Sequence, residues 1–187
     1  MTRTALVTGA AGFIGSHLSE RLLGDGWRVV GLDCFTDTYA RSVKERNLSN
    51  AKQQPHFSLV EADMVTADLN ALVAGADVVF HLAGQAGVRS SWGAEFDLYT
   101  HRNILATQRL LEAASKQSLH RLVYASSSSI YGDTTALPVT EETLPSPVSP
   151  YGVSKLAAEH LCVLYGANYG VPTSSLRYFT VYGPRQR

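Results

Sequence analysis

A tyrosine and a lysine stand four residues apart late in the chain, in the run Tyr151-Gly-Val-Ser-Lys155. Positions i and i+4 share one face of a helix, so we expect these two side chains to lie together. A phenol with an ordinary pKa of about 10 is a weak base at neutral pH, and a nearby ammonium lowers that pKa because it favours the phenolate. Such a pair is common on protein surfaces. It indicates a catalytic base only if other residues define a site around it.

A glycine-rich run near the N-terminus has the composition of a phosphate-binding turn. It reads Thr8-Gly-Ala-Ala-Gly-Phe-Ile-Gly15 and lies between a short apolar run and a helical pattern. Glycine permits the tight turn and the close approach of a pyrophosphate, and the helix start offers N–H groups with partial positive charge. Asp33 follows about 20 residues on, where a carboxylate binds ribose hydroxyls and repels a 2′-phosphate. The run therefore predicts a dinucleotide site, and Asp33, with no arginine after it, favours NAD over NADP.

Short apolar runs alternate with longer helical patterns along the whole chain. The runs lack polar alternation, which is typical of parallel strands buried on both faces. The predicted strands are Thr4–Thr8, Arg28–Leu32, Phe57–Val60, Asp77–Leu82, Arg121–Ala125 and Thr173–Leu176, and the predicted helices are Phe13–Leu23, Glu95–Gln117 and Tyr151–Tyr169. This alternation predicts the α/β class, with a doubly wound parallel sheet.

Two further segments are expected beside the carboxyl ends of the strands, where ligands bind in such sheets. A serine cluster, Ser126 to Ser129, follows the fifth predicted strand. The next segment, Leu137 to Pro150, contains four prolines, which exclude a helix or a central strand. We therefore expect it to be an extended loop that borders the site.

Composition excludes several classes of function. The 187 residues contain 16 Lys and Arg and 16 Asp and Glu, so the net charge is zero, and no basic run is present to bind nucleic acid or an anionic membrane. No apolar stretch approaches the ~20 residues of a membrane helix. Cys34, Cys162 and the six histidines show no metal-ligand spacing, and His81 is expected to be a packing residue. We expect a cytoplasmic protein without a bound metal.

Eight motifs in order along the chain carry a resemblance to a known family. They are Thr8–Gly15, Asp33, Asp63-Met64, His81-Leu-Ala-Gly84, Asn103, Ser126-Ser-Ser-Ser-Ile-Tyr-Gly132, Tyr151-Gly-Val-Ser-Lys155 and Arg177-Tyr-Phe-Thr-Val-Tyr-Gly-Pro184. The set resembles the extended short-chain dehydrogenase/reductase family, in its nucleotide-sugar epimerase/dehydratase branch, and it spans nearly all of the chain. The fold that this resemblance implies is a Rossmann fold.

The resemblance implies a role for each matching residue. Tyr151 would be the general base, Lys155 would hold the nicotinamide ribose and lower the pKa of Tyr151, and Ser127 would bind the reacting hydroxyl. Asn103, unfavourable within a helix, would hold a bend or a water. The cofactor NAD would be bound by Gly9, Gly12, Phe13, Ile14, Gly15, Asp33, Asp63, Met64, Leu82, Ala83, Gly84, Asn103, Tyr151, Lys155 and Tyr178.

The resemblance also limits which reaction of the family is expected. Family members share oxidation of the sugar C4 hydroxyl by NAD⁺. A 4,6-dehydratase then needs an acidic pair after the Ser/Thr, and this chain has Ser128-Ser129 there. The run Gln85-Ala-Gly-Val-Arg89 is similar to UDP-glucuronate 4-epimerases rather than to UDP-glucuronate decarboxylases. The implied reaction is conversion of UDP-glucuronate to UDP-galacturonate, with Arg89, Ser127, Ser128, Ser129 and Thr180 as the residues that bind the substrate.

Alternatives to this interpretation stay open. A UDP-glucose/galactose 4-epimerase and a decarboxylase lie within the same branch, a 4-ketoreductase would release NADH, and a non-catalytic NAD-binding module belongs to a different class. Family members continue for over a hundred residues as a smaller substrate domain. We therefore expect residues 1–187 to be an NAD-binding domain that lacks this part, and to be weakly active or inactive. The family also predicts a homodimer through the helices at 95–117 and 151–169.

Overall fold

The computed structural model describes residues 2–38, 40–135 and 137–186. Its six strands form a single parallel sheet in the order β3-β2-β1-β4-β5-β6. The strands are β1 Thr4–Thr8, β2 Arg28–Asp33, β3 Phe57–Glu61, β4 Val78–His81, β5 Arg121–Ser127 and β6 Thr173–Tyr178. This is the strand order of the Rossmann fold, and the predicted α/β class is confirmed.

Helices cover both faces of the sheet. They are α1 Phe13–Gly24, α2 Arg41–Asn47, α3 Leu69–Ala74, α4 Phe96–Tyr99, a π-helical segment at Thr100–Leu105, α5 Ala106–Ala114 and α6 Pro150–Tyr169. Short 3₁₀ turns lie at Ala51–Gln53, Arg89–Ser91, Gly93–Glu95 and Ser128–Ile130.

Successive residues of β1 face opposite sides, as the two-residue period of a strand requires. Ala5 and Val7 pack with Leu22 and Leu48 on one face, while Leu6 packs on the other face with α3, α5 and α6. Both faces of the sheet are therefore buried, which explains why the strands read as continuous apolar runs.

The helix predicted at Glu95–Gln117 is present from Phe96 to Ala114, but its ends are shorter than predicted and it contains a π segment at Thr100–Leu105. Asn103 lies inside that segment, where its side chain bonds the backbone of Gln85 instead of facing solvent. The wider π turn brings this buried amide to the loop after β4, an interaction between distant parts of the chain that helical spacing does not reveal.

Smaller corrections concern element ends. Strands β2, β3, β5 and β6 extend one or two residues beyond the prediction, and β4 is shorter at both ends. Pro150, predicted as the last residue of the loop, is the first residue of α6, where proline is tolerated because its missing N–H would be unpaired. Ser149 caps this helix by accepting a hydrogen bond from Gly152 N at 3.1 Å.

Candidate active site

A cavity of about 510 Å³ lies at the carboxyl ends of β1, β2, β4 and β5, across the point where the strand order reverses. It brings together most residues predicted for the site. These are Gly9, Gly12, Phe13, Ile14, Gly15, Asp33, Asp63, Met64, Leu82, Ala83, Gly84, Ser127, Tyr151, Lys155 and Tyr178. The predicted residues that do not line it are Arg89, Asn103, Ser128, Ser129 and Thr180.

The glycine turn joins β1 to α1 at the centre of this cavity. Gly9 has φ +70°, and a Cβ atom there would lie 2.9 Å from Ala83 N. A Cβ at Gly15 would lie 2.2 Å from Gly9 O. Gly12 is the N-cap of α1 and supplies no side-chain cap, so the first N–H groups of the helix remain available to an anion. The turn has the form that the sequence predicted.

Asp33 closes one end of the cavity and is buried. Its Oδ2 accepts a hydrogen bond from Ala11 N at 3.0 Å, which ties β2 to the glycine turn, and its Oδ1 accepts from Phe35 N at 2.8 Å. Lys44 Nζ lies 3.2 Å from Asp33 Oδ1, and both side chains are only 6% exposed. The sequence analysis missed Lys44, since nothing in the spacing indicates that α2 returns to the end of β2.

A chain of hydrogen bonds fixes the backbone after β4. Thr8 Oγ1 accepts from Leu82 N and Ala83 N, so its own hydrogen is directed to His81 Nδ1 at 2.8 Å. His81 Nε2 then donates to Thr107 Oγ1 at 2.9 Å. Burial lowers the pKa of His81 to about 3, so the ring is neutral. The prediction that His81 is a packing residue is confirmed.

Asn103 lies behind the cavity wall and is 1% exposed. Its Oδ1 accepts from Gln85 N at 2.7 Å, and its Nδ2 donates to Gln85 O and to Ser154 Oγ at 2.9 Å. Ser154 Oγ in turn donates to Tyr151 O at 2.7 Å. Asn103 therefore connects the loop after β4 to the first turn of α6, and it does so without lining the cavity.

Tyr151 and Ser127 meet at the other end of the cavity. A side-chain hydrogen bond joins them, and Ser127 Oγ also accepts from Ser129 N at 3.1 Å. The pKa of Tyr151 is raised, first by burial and then by the neighbouring Tyr99, while the bond with Ser127 lowers it. The prediction that the pKa of Tyr151 is depressed is therefore wrong for this chain, because desolvation of the phenolate outweighs the other effects.

Lys155 lies one turn beyond Tyr151 and is 7% exposed. Its ammonium lies 4.5 Å from the centre of the Tyr124 ring, so a cation–π contact satisfies part of the buried charge. Burial lowers the pKa of Lys155 to about 8, while Cys162 and Glu159 raise it. Lys155 is therefore a cation at neutral pH that is within reach of losing its proton.

A largely buried ion pair, which was not predicted from the sequence, lies next to the end of the cavity that holds Ser127. Glu159, four residues after Lys155 on α6, accepts from Ser126 Oγ at 2.5 Å and from Arg177 Nη2 at 2.7 Å. Arg177 Nη1 donates to Tyr131 Oη at 2.8 Å. The pair thereby fixes β5, β6 and α6 to one another directly below Ser127.

The predicted substrate residues other than Ser127 do not line the cavity. Ser128 and Ser129 lie half-buried in the 3₁₀ turn after β5, while Arg89 and Thr180 are exposed. The proline-rich loop at 137–149 contacts that turn through Ser146 N, which donates to Ile130 O at 2.9 Å. It lines none of the cavity within the described residues.

The donors and acceptors of this cavity fit a dinucleotide. A backbone-lined turn that excludes a Cβ lies at its centre, a carboxylate lies at one end, and a phenol with a buried ammonium lies at the other. No cluster of three or more metal-ligating side chains occurs among the described residues. None of the helices in the described ranges is long and apolar enough to span a membrane.

Comparison with known proteins gives a family match over nearly the whole chain. The sequence model of the NAD dependent epimerase/dehydratase family matches residues 5–187. The predicted use of NAD is confirmed at the level of this family.

Individual relatives agree with that match. A protein of Bacillus subtilis named as an uncharacterized UDP-glucose epimerase is 51% identical over 97% of this chain and 58% of its own length. A UDP-glucose 4-epimerase of Mycolicibacterium smegmatis is 43% identical over 97% of this chain and 57% of its own length. The chain thus spans little more than half the length of these relatives.

Among solved structures, UDP-glucuronic acid 4-epimerase from Bacillus cereus, in complex with UDP-glucuronic acid and NAD, superimposes with a TM-score of 0.95. It is 46% identical, and the match covers 98% of this chain and 59% of that structure. The predicted family is confirmed, and the relatives carry the names of two different sugar substrates.

Proposed function

Because the chain belongs to the NAD dependent epimerase/dehydratase family, we propose that it forms the NAD-binding domain of a UDP-sugar 4-epimerase. The preferred substrate in this proposal is UDP-glucuronate, which would be converted to UDP-galacturonate. One observation carries it: a glycine turn with the form of a dinucleotide-binding turn lines the centre of a cavity, and a Ser–Tyr–Lys set lines one end of the same cavity.

The cofactor supplies the chemistry of accepting a hydride from the sugar C4 and returning it. The residues of this chain accept the proton and hold the reacting hydroxyl in place. Tyr151 Oη, bonded to Ser127, is placed to accept the proton of the C4 hydroxyl, and Ser127 orients that hydroxyl. Tyr151 must work against its own pKa, which burial raises, and in this proposal the ammonium of Lys155, which lines the same cavity, would favour the phenolate once the substrate is bound.

Glucuronate is favoured over other sugars by the side chains after Ser127. A carboxylate needs hydrogen-bond donors, and Ser128, Ser129, Thr180 and Arg89 would supply hydroxyls and a cation, although none of them lines the cavity of this chain. No acidic side chain occupies the turn at 128–130, so a second proton transfer at C5 and C6 has no acid or base there. Epimerisation needs none, because the hydride only returns to the opposite face.

UDP-glucose is the second candidate substrate, and the relatives carry this alternative. The Bacillus subtilis and Mycolicibacterium smegmatis proteins, at 51% and 43% identity, are both named for UDP-glucose. The same Tyr151 and Ser127 geometry serves either sugar, since both present a C4 hydroxyl. The two candidates differ only in what Ser128, Ser129 and Thr180 contact at C6.

A homodimer is part of the proposal. Val153 and Leu164 lie eleven residues apart on α6, three full turns, so they share one face of the helix, and they are 46% and 55% exposed. Leu105, at the end of the π segment, is 38% exposed. Pairing of α5 and α6 with a second copy would cover this surface. Sedimentation or light scattering of wild type and Leu164→Glu distinguishes the states, and a monomeric wild type would refute the dimer. The predicted cytoplasmic location belongs to the same proposal.

Proton NMR of the anomeric signals tests the reaction. The chain is incubated with NAD⁺ and either UDP-glucuronate or UDP-glucose, with Tyr151→Phe as the matched control. A UDP-galacturonate signal that the control lacks supports the proposal, and a UDP-galactose signal alone supports the second candidate. A UDP-pentose signal would show a decarboxylase instead. An unchanged spectrum with NAD bound would refute the proposed activity for this chain and leave only its role as an NAD-binding domain.

A further inference from the structure

The last described residues, Gly183 to Gln186, lie against the helix that follows the phosphate-binding turn. A Cβ at Gly183 would lie 3.7 Å from the Phe13 ring, Pro184 O lies 2.9 Å from His17 Nε2, and Arg185 Nη2 lies 2.8 Å from Glu20 Oε1. Phe13, His17 and Glu20 are spaced at i, i+4 and i+7, so the segment follows a single face of α1. This docking brings Arg185 into the cavity wall beside Gly12 and Phe13.

Arg185 has two features that its structural contacts leave unexplained. Its Nη1 is buried, and among the described residues it is the only buried side-chain nitrogen or oxygen without a hydrogen-bond partner. Its backbone has φ +69°, in the left-handed region that a residue with a Cβ adopts only at a cost. Glu20 is bonded through Nη2 alone, at 2.8 and 3.0 Å, so the second arm of the guanidinium is left without an acceptor.

We infer that Arg185 binds a diphosphate in the cavity, and that Glu20 orients its guanidinium for this purpose. A guanidinium pairs with phosphate oxygens in a planar, charge-assisted geometry, and a small rotation of the Arg185 side chain would turn its buried, unpartnered Nη1 toward the cavity that this residue lines. The inference rests on the proposed function, which places a dinucleotide over the glycine turn.

The other cations of the cavity are engaged elsewhere. Lys44 pairs with Asp33 at one end of the cavity, Arg102 donates to Gln85 Oε1 at 2.8 Å, and Lys155 lies over the Tyr124 ring. Arg185 is the cavity-lining cation whose own segment packs on Phe13, at the start of α1. Since partial positive charge also collects at that helix start, a diphosphate there is held from two sides.

Two sources carry this chemistry, the pyrophosphate of the dinucleotide and the diphosphate of the UDP-sugar. Isothermal titration with NAD⁺, ADP, adenosine, UDP and uridine separates them. In Arg185→Gln we expect NAD⁺ and ADP to bind about tenfold to a hundredfold more weakly, with adenosine unchanged, as for loss of a buried charge-assisted hydrogen bond. A loss confined to UDP, with uridine unchanged, would assign the same role toward the nucleotide sugar.

Three further variants separate binding from folding. Arg21→Gln removes an exposed arginine of the same helix that is paired with Asp25, and it should leave all affinities unchanged. Arg185→Lys keeps the charge without the planar fork and should lose less than Arg185→Gln. Glu20→Gln weakens the pair that orients the guanidinium, so ADP should bind more weakly than to wild type but more tightly than to Arg185→Gln.

The outcomes are distinct for this inference and for the proposed function. Wild-type chain that binds neither NAD⁺ nor ADP would refute the proposed function and the inference together. Wild type that binds both, with Arg185→Gln and Arg185→Lys equal to it for ADP and UDP, would overturn the inference alone. The inference is also overturned if Glu20→Gln and Arg185→Gln lower the melting temperature equally while ADP and adenosine weaken in parallel.

Discussion

At the end of the cavity beside β1 and β2, the groups that face a ligand are held by buried hydrogen bonds, whereas beside β6 large apolar side chains stand in solvent. Asp33 and Lys44 are each 6% exposed, while Phe179 is 61% and Tyr182 is 86% exposed. The first region positions its polar groups through contacts within this chain. In the second region the Glu159–Arg177 pair joins β5, β6 and α6, but the large apolar side chains after β6 are only partly covered by other described residues. Under the proposed function, NAD would be bound by groups that this chain itself holds in place, whereas the surface beside β6 is left largely open to solvent.

The largest expected effect on stability is at the buried pair of the first region. Asp33→Ala removes the buried carboxylate that pairs with Lys44 and accepts from Ala11 N and Phe35 N, so we expect a loss of about 3–5 kcal/mol in the free energy of unfolding. Arg41→Ala breaks the exposed pair with Glu61, both about half exposed, and should lose less than about 1 kcal/mol. Urea denaturation measures both. Equal losses would show that burial does not distinguish the two pairs.

The next effect concerns affinity without a matching loss of fold. Gly12 has φ −75° and ψ 176°, which valine can adopt, and it lines the cavity. Gly12→Val should therefore place a side chain where a pyrophosphate would lie and weaken NAD⁺ by at least about a hundredfold, or roughly 2.7 kcal/mol. Gly24→Val, where a Cβ meets nothing within 4 Å, is the matched control. Titration calorimetry with both variants would contradict the placement of the cofactor if the affinities were equal.

A smaller, pH-dependent effect is expected at Lys155. Its folded pKa of about 8 lies below the ordinary value of 10.5, so between these pH values the unfolded chain binds more protons than the folded chain. The contribution of Lys155 to the free energy of unfolding therefore rises with pH from about 8 to about 10.5. Lys155→Met should lack this rise. Denaturation curves of both proteins from pH 7 to pH 10 measure the difference, and parallel curves would contradict the burial of the charged ammonium.

The smallest effect is predicted beside β6. Phe179→Ser removes a ring that is mostly in solvent, so the free energy of unfolding should change by no more than about 0.5 kcal/mol. Urea denaturation measures the difference. A loss above about 1 kcal/mol would show that the ring, which stacks with Tyr131 at 6.3 Å, belongs to the core of this chain.

The residues of the first region could be predicted from the sequence more completely than those of the second. The glycine turn and Asp33 could be predicted because backbone geometry and strand ends are encoded locally. Tyr151 and Lys155 could be predicted as neighbours because helical spacing places them on one face. The raised pKa of Tyr151 could not, since it depends on how deeply distant elements bury the ring.

The features that could not be predicted from the sequence all depend on contacts between distant parts of the chain. Lys44 meets Asp33 only because α2 folds back onto the end of β2, and Arg185 meets Glu20 across 165 positions of the chain. The π segment at Thr100–Leu105 has an apolar spacing close to that of an ordinary helix, so the sequence marks Asn103 as unfavourable there without revealing the wider turn itself. For the Glu159–Arg177 pair, the sequence indicates only that Glu159 lies one helical turn after Lys155, on the same face of α6, and it does not identify Arg177 as the partner.

A crystal structure of this chain grown with NAD⁺ tests the central claim most directly. The account predicts the adenosine ribose within hydrogen-bonding distance of Asp33, the pyrophosphate over Gly12 and beside Arg185, and the nicotinamide ring at Tyr151 and Lys155. A nicotinamide ring at the Asp33 end, or NAD bound outside this cavity, would contradict it.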